Sequence, residues 1–302
     1  MKRLAILSLL AILAGSAFLS CKSGDKAPDH GTELTFQMRD EMDEYDMVFP
    51  VMCSVLEARA KSCSPYATLT YDDEALQVRI LLPGFRDQER IARIFSLTGS
   101  FRFLEVYPSE DVWNYLGAMV GEDAFLLDRQ YGSGPSVGQA GMDDAVHLVL
   151  SVMEQQKYGA ASDPSWPRYF QLLPSADPDP ETGEYALYGV NSDAPYYDAR
   201  SIGEVKVETG KDGRATLLIC VDEESAQDFY QFTMMNLGRY VAFELDGCVY
   251  SCPFVNEAVS NGHLMISNMS ETEAEDFAIV LRSGSTLTAP DIFFEEITYK
   301  EY

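Results

Sequence analysis

The sequence predicts an α+β protein in which a ferredoxin-like base subdomain, built on a split βαβ unit, precedes a second α+β head subdomain. Three observations support this prediction. Residues 31–107 follow the order strand, helix, strand, strand, helix, strand. Residues 200–285 contain alternating strands and well-capped helices of their own. Between them, residues 108–199 are weakly patterned, so we expect an irregular insertion with short helices.

The base elements follow from local signals. Alternating apolar residues predict a strand at 33–38, and Pro50 suits the first turn of a helix that runs to residue 63. Short strands are predicted at 66–71 and 76–82. Asp87 is an N-cap for a helix with apolar residues at i, i+3, i+4 and i+7. Residues 100–107 alternate strongly and are predicted to be the last strand of the split βαβ unit.

The head elements are signalled in the same way. Residues 205–221 predict two strands around a turn at Lys211-Asp212-Gly213, and Asp222 caps a helix that runs to about residue 237. Strands at 240–245 and 248–252 are joined by the two-residue turn Asp246-Gly247. After a strand at 263–269, Ser270 and Glu273 form a capping box, and Gly284 ends that helix. Residues 286–302 are predicted to return to the base as a strand.

The insertion offers few signals. Residues 143–157 are predicted to be helical. Residues 163–181 hold five prolines and are predicted to form a loop or linker.

Charge and composition limit the function. The chain has 302 residues, with 22 Lys and Arg against 48 Asp and Glu, which gives a formal charge of −26. Such a charge repels phosphate backbones, so nucleic-acid binding is excluded. A content of 46% apolar and 12% aromatic residues is typical of a globular protein.

The N-terminus resembles a bacterial lipoprotein signal. Lys2 and Arg3 precede an apolar run at 4–15, and the small residue Ser20 stands directly before Cys21. We therefore expect residues 1–20 to be a signal peptide, Cys21 to carry the lipid, and residues 21–30 to form a tether. The predicted location is the cell envelope, lipid-anchored to a membrane on the periplasmic side or at the outer membrane. An ordinary secretory signal with an incidental cysteine is the alternative.

No catalytic or metal centre is predicted. Residues 134–138 match G-x-S-x-G but lack the strand before and the helix directly after that a nucleophile elbow needs. The three histidines, His30, His147 and His263, fall in separate elements. Cys248 and Cys252 lie four residues apart on one strand, roughly 13 Å, which is too far to share an ion. We expect no enzyme activity, no cofactor and no bound metal.

Several segments resemble the first periplasmic domain of the SecD and SecDF protein-export subunits. The first half matches at residues 76–85 (LQVRILLPGF), in the helix that follows, and at residues 99–105 (GSFRFLE). The second half matches more strongly at residues 236–253 (NLGRYVAFELDGCVYSCP) and in the helix ending at Gly284. Cys252 stands where the family usually has Ala.

The resemblance implies a non-enzymatic domain that contacts exported or unfolded polypeptide or the export machinery. The implied partners are the membrane, through the lipid, and exported polypeptides or Sec translocase components. The candidate contact residues lie on the head hairpin and are Tyr240, Phe243, Tyr250 and Phe254, with burial of all four as the alternative. The proton-coupling residues of the family lie outside this domain, so none is carried over. The second hypothesis is a structural or niche cell-envelope lipoprotein that keeps the fold without a translocation role.

Overall fold

The computed structural model describes residues 26–38, 45–72, 74–129, 134–158, 167–194, 201–211, 213–285 and 294–302. The predicted signal peptide and Cys21 lie outside the described residues. The helices are α1 (Tyr45–Cys63), α2 (Gln88–Ser96), α3 (Ser109–Met119), α4 (Met142–Tyr158), α5 (Glu223–Met235) and α6 (Glu271–Ser283). The strands of the first half and insertion are β1 (Gly31–Met38), β2 (Thr68–Asp72), β3 (Gln77–Pro83), β4 (Phe101–Val106), β5 (Asp128–Arg129), β6 (Gly138–Ala140), β7 (Phe170–Pro174) and β8 (Tyr185–Asn191). The remaining strands are β9 (Ile202–Thr209), β10 (Arg214–Val221), β11 (Val241–Leu245), β12 (Cys248–Ser251), β13 (His263–Ser270) and β14 (Phe294–Glu301).

The first sheet has the strand order β14-β1-β3-β2, and every pair in it is antiparallel. Leu34 in β1 pairs with Ile80 of β3 on one side and with Tyr299 of β14 on the other. Its apolar face packs on α1 and α2, in a core that includes Leu34, Phe36, Leu56, Ile80, Ile91 and Phe95. Asp87 caps α2 as predicted, because its carboxylate accepts from the Arg90 amide at 3.1 Å.

The predicted fourth strand of the base lies in a different sheet. β4 pairs with β11, with Phe103 opposite Phe243, and with β8 on its other side. The place beside β1 is taken by β14 instead. The physical reason is that both faces of β4 are apolar and buried, Phe101 and Phe103 on one side and Leu104 and Val106 on the other. Such a strand is best placed at the centre of a sheet between two cores.

The region predicted to be the head contains a three-stranded sheet, β13-β10-β9, together with α5 and α6. Its core also receives Phe101 and Phe103 from β4 and Phe243 from β11. The predicted caps are present: Asp222 accepts from the Ser225 amide at 2.8 Å, and Ser270 and Glu273 form a reciprocal capping box.

The insertion is more regular than predicted. It contains α3, a 3-10 helix over Gly121–Leu126, α4 and the strands β5 to β8. These elements enclose their own core, which includes Val112, Leu116, Leu148, Val152, Phe170 and Leu187. The segment 163–181, predicted to be a loop, contains the strand β7. Pro174 does not prevent this strand, since it stands at the end of β7, where the missing amide is tolerated.

Candidate functional site

The four aromatic residues predicted to contact polypeptide have very different environments. Phe243 is 1% exposed and lies 5.3 Å from the Phe101 ring and 5.5 Å from the Phe103 ring. Tyr250 is half-buried, and its ring lies 4.6 Å from that of Phe277 on α6. Phe243 is therefore a core residue that cannot contact a ligand, and Tyr250 mainly fastens the hairpin to α6.

The other two aromatics lie together at the open end of the hairpin. Tyr240 and Phe254 form an isolated antiparallel bridge, and their rings meet edge to face at 5.1 Å. Phe254 is 44% exposed, whereas Tyr240 is half-buried. An edge-to-face pair of this kind holds an exposed aromatic ring in a fixed orientation.

Two further apolar residues extend this surface and were missed by the sequence analysis. Met235 at the end of α5 is 70% exposed, and Leu237, two residues further along the chain, is 47% exposed. The Gly238 amide donates to the Val255 carbonyl at 2.9 Å, so the segment after α5 lies beside Phe254. We call Met235, Leu237, Tyr240 and Phe254 the head rim.

The head rim is exposed because the buried face of α5 points elsewhere. Phe229 and Thr233, four residues apart, form that buried face, and Met235 falls off its helical period. An apolar residue at the end of a helix but off its buried face is the sequence signal that would have identified the rim. A backbone turn at Gly238, with φ of +75°, then leads the chain into β11.

Polar contacts inside the head hold the rim in place. Asn236 is 4% exposed, and its side-chain amide donates to the Phe232 carbonyl at 3.0 Å. The Thr233 hydroxyl accepts from the Val259 amide at 3.0 Å and donates to the Phe229 carbonyl at 2.9 Å. The bond from Val259 fastens the loop that carries Phe254 to α5, because it joins residues 26 positions apart, whereas the other two bonds lie within one turn of the helix end.

The hairpin itself is rigidly bonded. Asp246 and Gly247 both have positive φ, at +51° and +80°, as a two-residue hairpin turn requires. Glu244 is 3% exposed and accepts from Arg102 Nε at 2.7 Å and from the Gly247 amide at 2.6 Å. Burial raises the pKa of Asp246, which accepts from the Thr98 amide at 2.9 Å.

The cysteines of this hairpin stand in slightly different register from the prediction. Cys248 faces Leu245 as predicted. A bulge next to Phe243 then shifts the pairing, so Val241 donates to the Pro253 carbonyl instead of facing Cys252. Burial raises the pKa of the Cys252 thiol to about 12. In the described ranges, no group of three or more His, Cys, Asp or Glu residues is arranged to hold a metal ion.

Fold and surface together define a mixed α/β module that presents a fixed apolar rim. The family model of the SecDF P1 head subdomain matches residues 178–288, a range that includes the whole rim. The SecD subunit of Rhodothermus marinus is 34% identical over 137 residues, covering 44% of this chain and 22% of that protein. The SecD subunit of Thermobaculum terrenum is 24% identical over 248 residues, covering 79% of this chain and 45% of that protein.

The solved structures agree with these relatives at the level of the fold. A crystal structure of SecDF in its super-membrane-facing form matches with a TM-score of 0.53 at 16% identity, over 93% of this chain and 32% of that one. Residues 178–288 therefore match the SecDF P1 head subdomain, and the predicted resemblance to the SecD and SecDF subunits is confirmed.

The extent of the match is limited. The chain spans 22% of the R. marinus SecD and 12% of the Thermus thermophilus SecDF subunit. Over the residues that the structure describes, none of the helices combines the length and apolar character needed to cross a membrane.

Proposed function

We propose that this chain is a non-enzymatic module of protein export that holds exported or unfolded polypeptide at the head rim. In this proposal the β14-β1-β3-β2 sheet with α1 and α2 is a ferredoxin-like base, and the three-stranded sheet with α5 and α6 is the head. Cys21 carries a lipid that keeps the module at the envelope membrane, where it meets exported chains or components of the Sec translocase.

The exposed head rim is the observation that carries this proposal. Met235, Leu237 and Phe254 keep 70%, 47% and 44% of their surfaces exposed on a strongly acidic protein, within the segment that the SecDF head model matches. Exposed apolar side chains that are held by an internal bonding network favour a binding surface over accidental exposure. Methionine adapts to ligands of varied shape, which suits an unfolded chain of any sequence.

The test is a titration of fluorescently labelled, permanently unfolded polypeptide with the purified full chain. We expect saturable binding with a dissociation constant between about 10 μM and 1 mM, because few residues contribute. The double variant Met235→Gln/Leu237→Gln should weaken binding at least about fivefold, which corresponds to about 1 kcal/mol. The control Met265→Gln, which replaces an apolar residue that is also 70% exposed but lies on β13, should leave binding unchanged.

Two results would contradict the proposal. Absence of saturable binding up to about 1 mM, near −4 kcal/mol, would favour a structural envelope lipoprotein instead. Equal weakening of binding by the rim variant and by Met265→Gln would mean that binding follows exposed apolar area in general and not this surface.

The anchoring is tested separately in cells. Cys21→Ala should move the protein from the membrane fraction to the soluble fraction, because stable attachment then depends on the acyl chains. Unchanged membrane retention of Cys21→Ala would contradict the lipid anchor and leave the binding proposal intact.

A further inference from the structure

A second exposed apolar surface lies on α4 in the insertion. Met142, Val146, Leu150 and Met153 are 52%, 48%, 57% and 51% exposed. Their spacing of four, four and three residues aligns them along one face of the helix over about 16 Å. We call these four residues the α4 stripe.

The α4 stripe is distinct from the face with which α4 packs on its own domain. Ala145, Leu148 and Val152 are 2%, 0% and 1% exposed and belong to the insertion core. The helix is therefore apolar on two faces, of which the core covers one. Helices with one buried face normally place polar residues on the other, so the stripe calls for a partner.

Charge around the stripe restricts what that partner is. With 100° per residue, Asp143 and Glu154 fall directly beside Leu150 on the helix surface, and both are exposed. The exposed Lys157 in the last turn of α4 follows Leu150 on the same face, so the acidic flank is opposed by one basic residue at the C-terminal end of the stripe. His147 lies beyond them and contacts Asp123 of the 3-10 helix at 3.1 Å. Residues 109–157 contain eight acidic and two basic residues.

This charge argues against self-association through the stripe. A second copy would bring the same carboxylates against their counterparts, on a chain whose formal charge is −26. Like charges facing each other across an interface are destabilising, whereas cationic residues there would be attracted. The complementary partner is apolar along one face and carries Lys or Arg at its flanks.

We infer that the α4 stripe binds a cationic amphipathic helix. Two helices pack side by side at 8–10 Å with their apolar ridges interdigitated, and a stripe of three turns is enough for one such contact. Lysine or arginine residues next to the apolar face of the ligand lie opposite Asp143 and Glu154. The two methionines of the stripe allow ligands of different sequence. The site lies outside the segment that the SecDF head model matches, so it stands independently of the head rim.

The test uses two synthetic amphipathic helices of about 18 residues, long enough to be helical when bound. Both peptides carry leucine on one face of the helix. The first peptide has lysine at all remaining positions, and the second has glutamate there. Each labelled peptide is titrated with the purified full chain and followed by fluorescence anisotropy. We expect the lysine peptide to bind at least tenfold more tightly than the glutamate peptide, with affinity that falls as salt is raised.

Variants then locate the site. Leu150→Gln/Met153→Gln should weaken binding of the lysine peptide at least tenfold, whereas Met265→Gln on β13, outside both surfaces, should leave that binding unchanged. Asp143→Asn/Glu154→Gln keeps the stripe and should reduce the preference for the lysine peptide over the glutamate peptide. All of these side chains are exposed, so circular dichroism should show an unchanged fold.

Several outcomes would overturn the inference. Equal affinity for the two peptides would remove the charge argument, and binding that ignores the stripe variants would place the peptide elsewhere. A dimer in sedimentation experiments that dissociates with Leu150→Gln/Met153→Gln would identify a second copy as the occupant. Binding to lipid vesicles that the same variant abolishes would identify a membrane surface instead.

Discussion

Substituting Arg59 by Met should destabilise the joint at which α1 meets the C-terminal ends of α2 and α6. Arg59 lies in α1 and is fully buried, and among the described residues no carboxylate lies at hydrogen-bond distance from its guanidinium. Its nitrogens instead donate to groups at the two places where the chain leaves α2 and α6. These acceptors are the carbonyls of Ile94, Leu97, Thr98 and Gly284 and the hydroxyl of Ser283.

The expected loss follows from opposing contributions. Hydrogen bonds to a charged group are each worth about 1.5–3 kcal/mol, so the four carbonyl contacts together supply about 6 kcal/mol even at the lower end. Burial lowers the pKa of Arg59 from 12.5 to about 10. That shift corresponds to a cost of about 3 kcal/mol for burying the charge, which methionine does not incur. Methionine fills much of the volume but leaves helix-end carbonyls unsatisfied, so we expect a net loss of about 2–3 kcal/mol.

Chemical denaturation followed by circular dichroism measures this loss. Arg79→Met is the matched control, because Arg79 lies exposed on β3 and its side chain donates to the Gln77 side-chain oxygen at 3.0 Å. The control should change the free energy of unfolding by less than about 0.5 kcal/mol. Hydrogen exchange in Arg59→Met should also accelerate at residues 97–99 and 284–285. If Arg59→Met is as stable as the control, the guanidinium does not hold the joint and the reasoning is refuted.

Three further substitutions test separate parts of the fold. Asp276→Ala leaves two arginines of α2 without their buried partner, so it should lower the free energy of unfolding by about 2–3 kcal/mol in urea denaturation. The neighbouring Glu275 is exposed, and Glu275→Ala should lower it by less than about 0.5 kcal/mol in the same assay. Gly262 and Gly121 both have φ near +60°, so alanine strains the backbone equally at the two positions. An added Cβ would lie 2.8 Å from another side chain at 262 but would meet nothing within 4 Å at 121. Gly262→Ala should therefore lower the free energy of unfolding by about 2 kcal/mol more than Gly121→Ala, measured by thermal and urea unfolding. Cys252→Ala should flatten the loss of stability between pH 9 and 12: the folded pKa is about 12 against 9.0 for a free thiol, so the unfolded state ionises first and stability falls as pH rises. An unchanged pH slope in Cys252→Ala would contradict burial of that thiol.

Local signals in the sequence predicted local structure well. Asp87, Asp222 and the Ser270–Glu273 box each begin a helix where expected, because capping depends on residues within one turn. The turn at Asp246-Gly247 is equally local. The two strands around residues 211–213 also appear as predicted.

Pairing between distant strands was less predictable. The alternation in β4 indicates a strand with two faces but not which strands flank it, so its assignment to the base was wrong. Arg102 in β4 and Glu244 in β11 are a buried pair at 2.7 Å, which only the folded pairing reveals. Burial of Phe243 depends on which elements pack nearby, and no local pattern determines that, whereas Met235 could have been identified from its position off the buried face of α5.

The central position of β4 links the two apolar surfaces. One face of this strand supplies Phe101 and Phe103 to the head core, and its other face lies in the core that also contains Leu173 and Val190 of the insertion. Tyr240 of the head rim stands directly before β11. On the other side, α4 packs in the same core as β7 and β8. Hydrogen-bonded strands run without interruption from β11 through β4 and β8 to β7. A continuous sheet resists relative movement of its strands, so the head rim and the α4 stripe are held at a fixed separation. A ligand that carries both an unfolded segment and a cationic amphipathic helix would then bind the second surface as an intramolecular step, with an affinity above that of either surface alone.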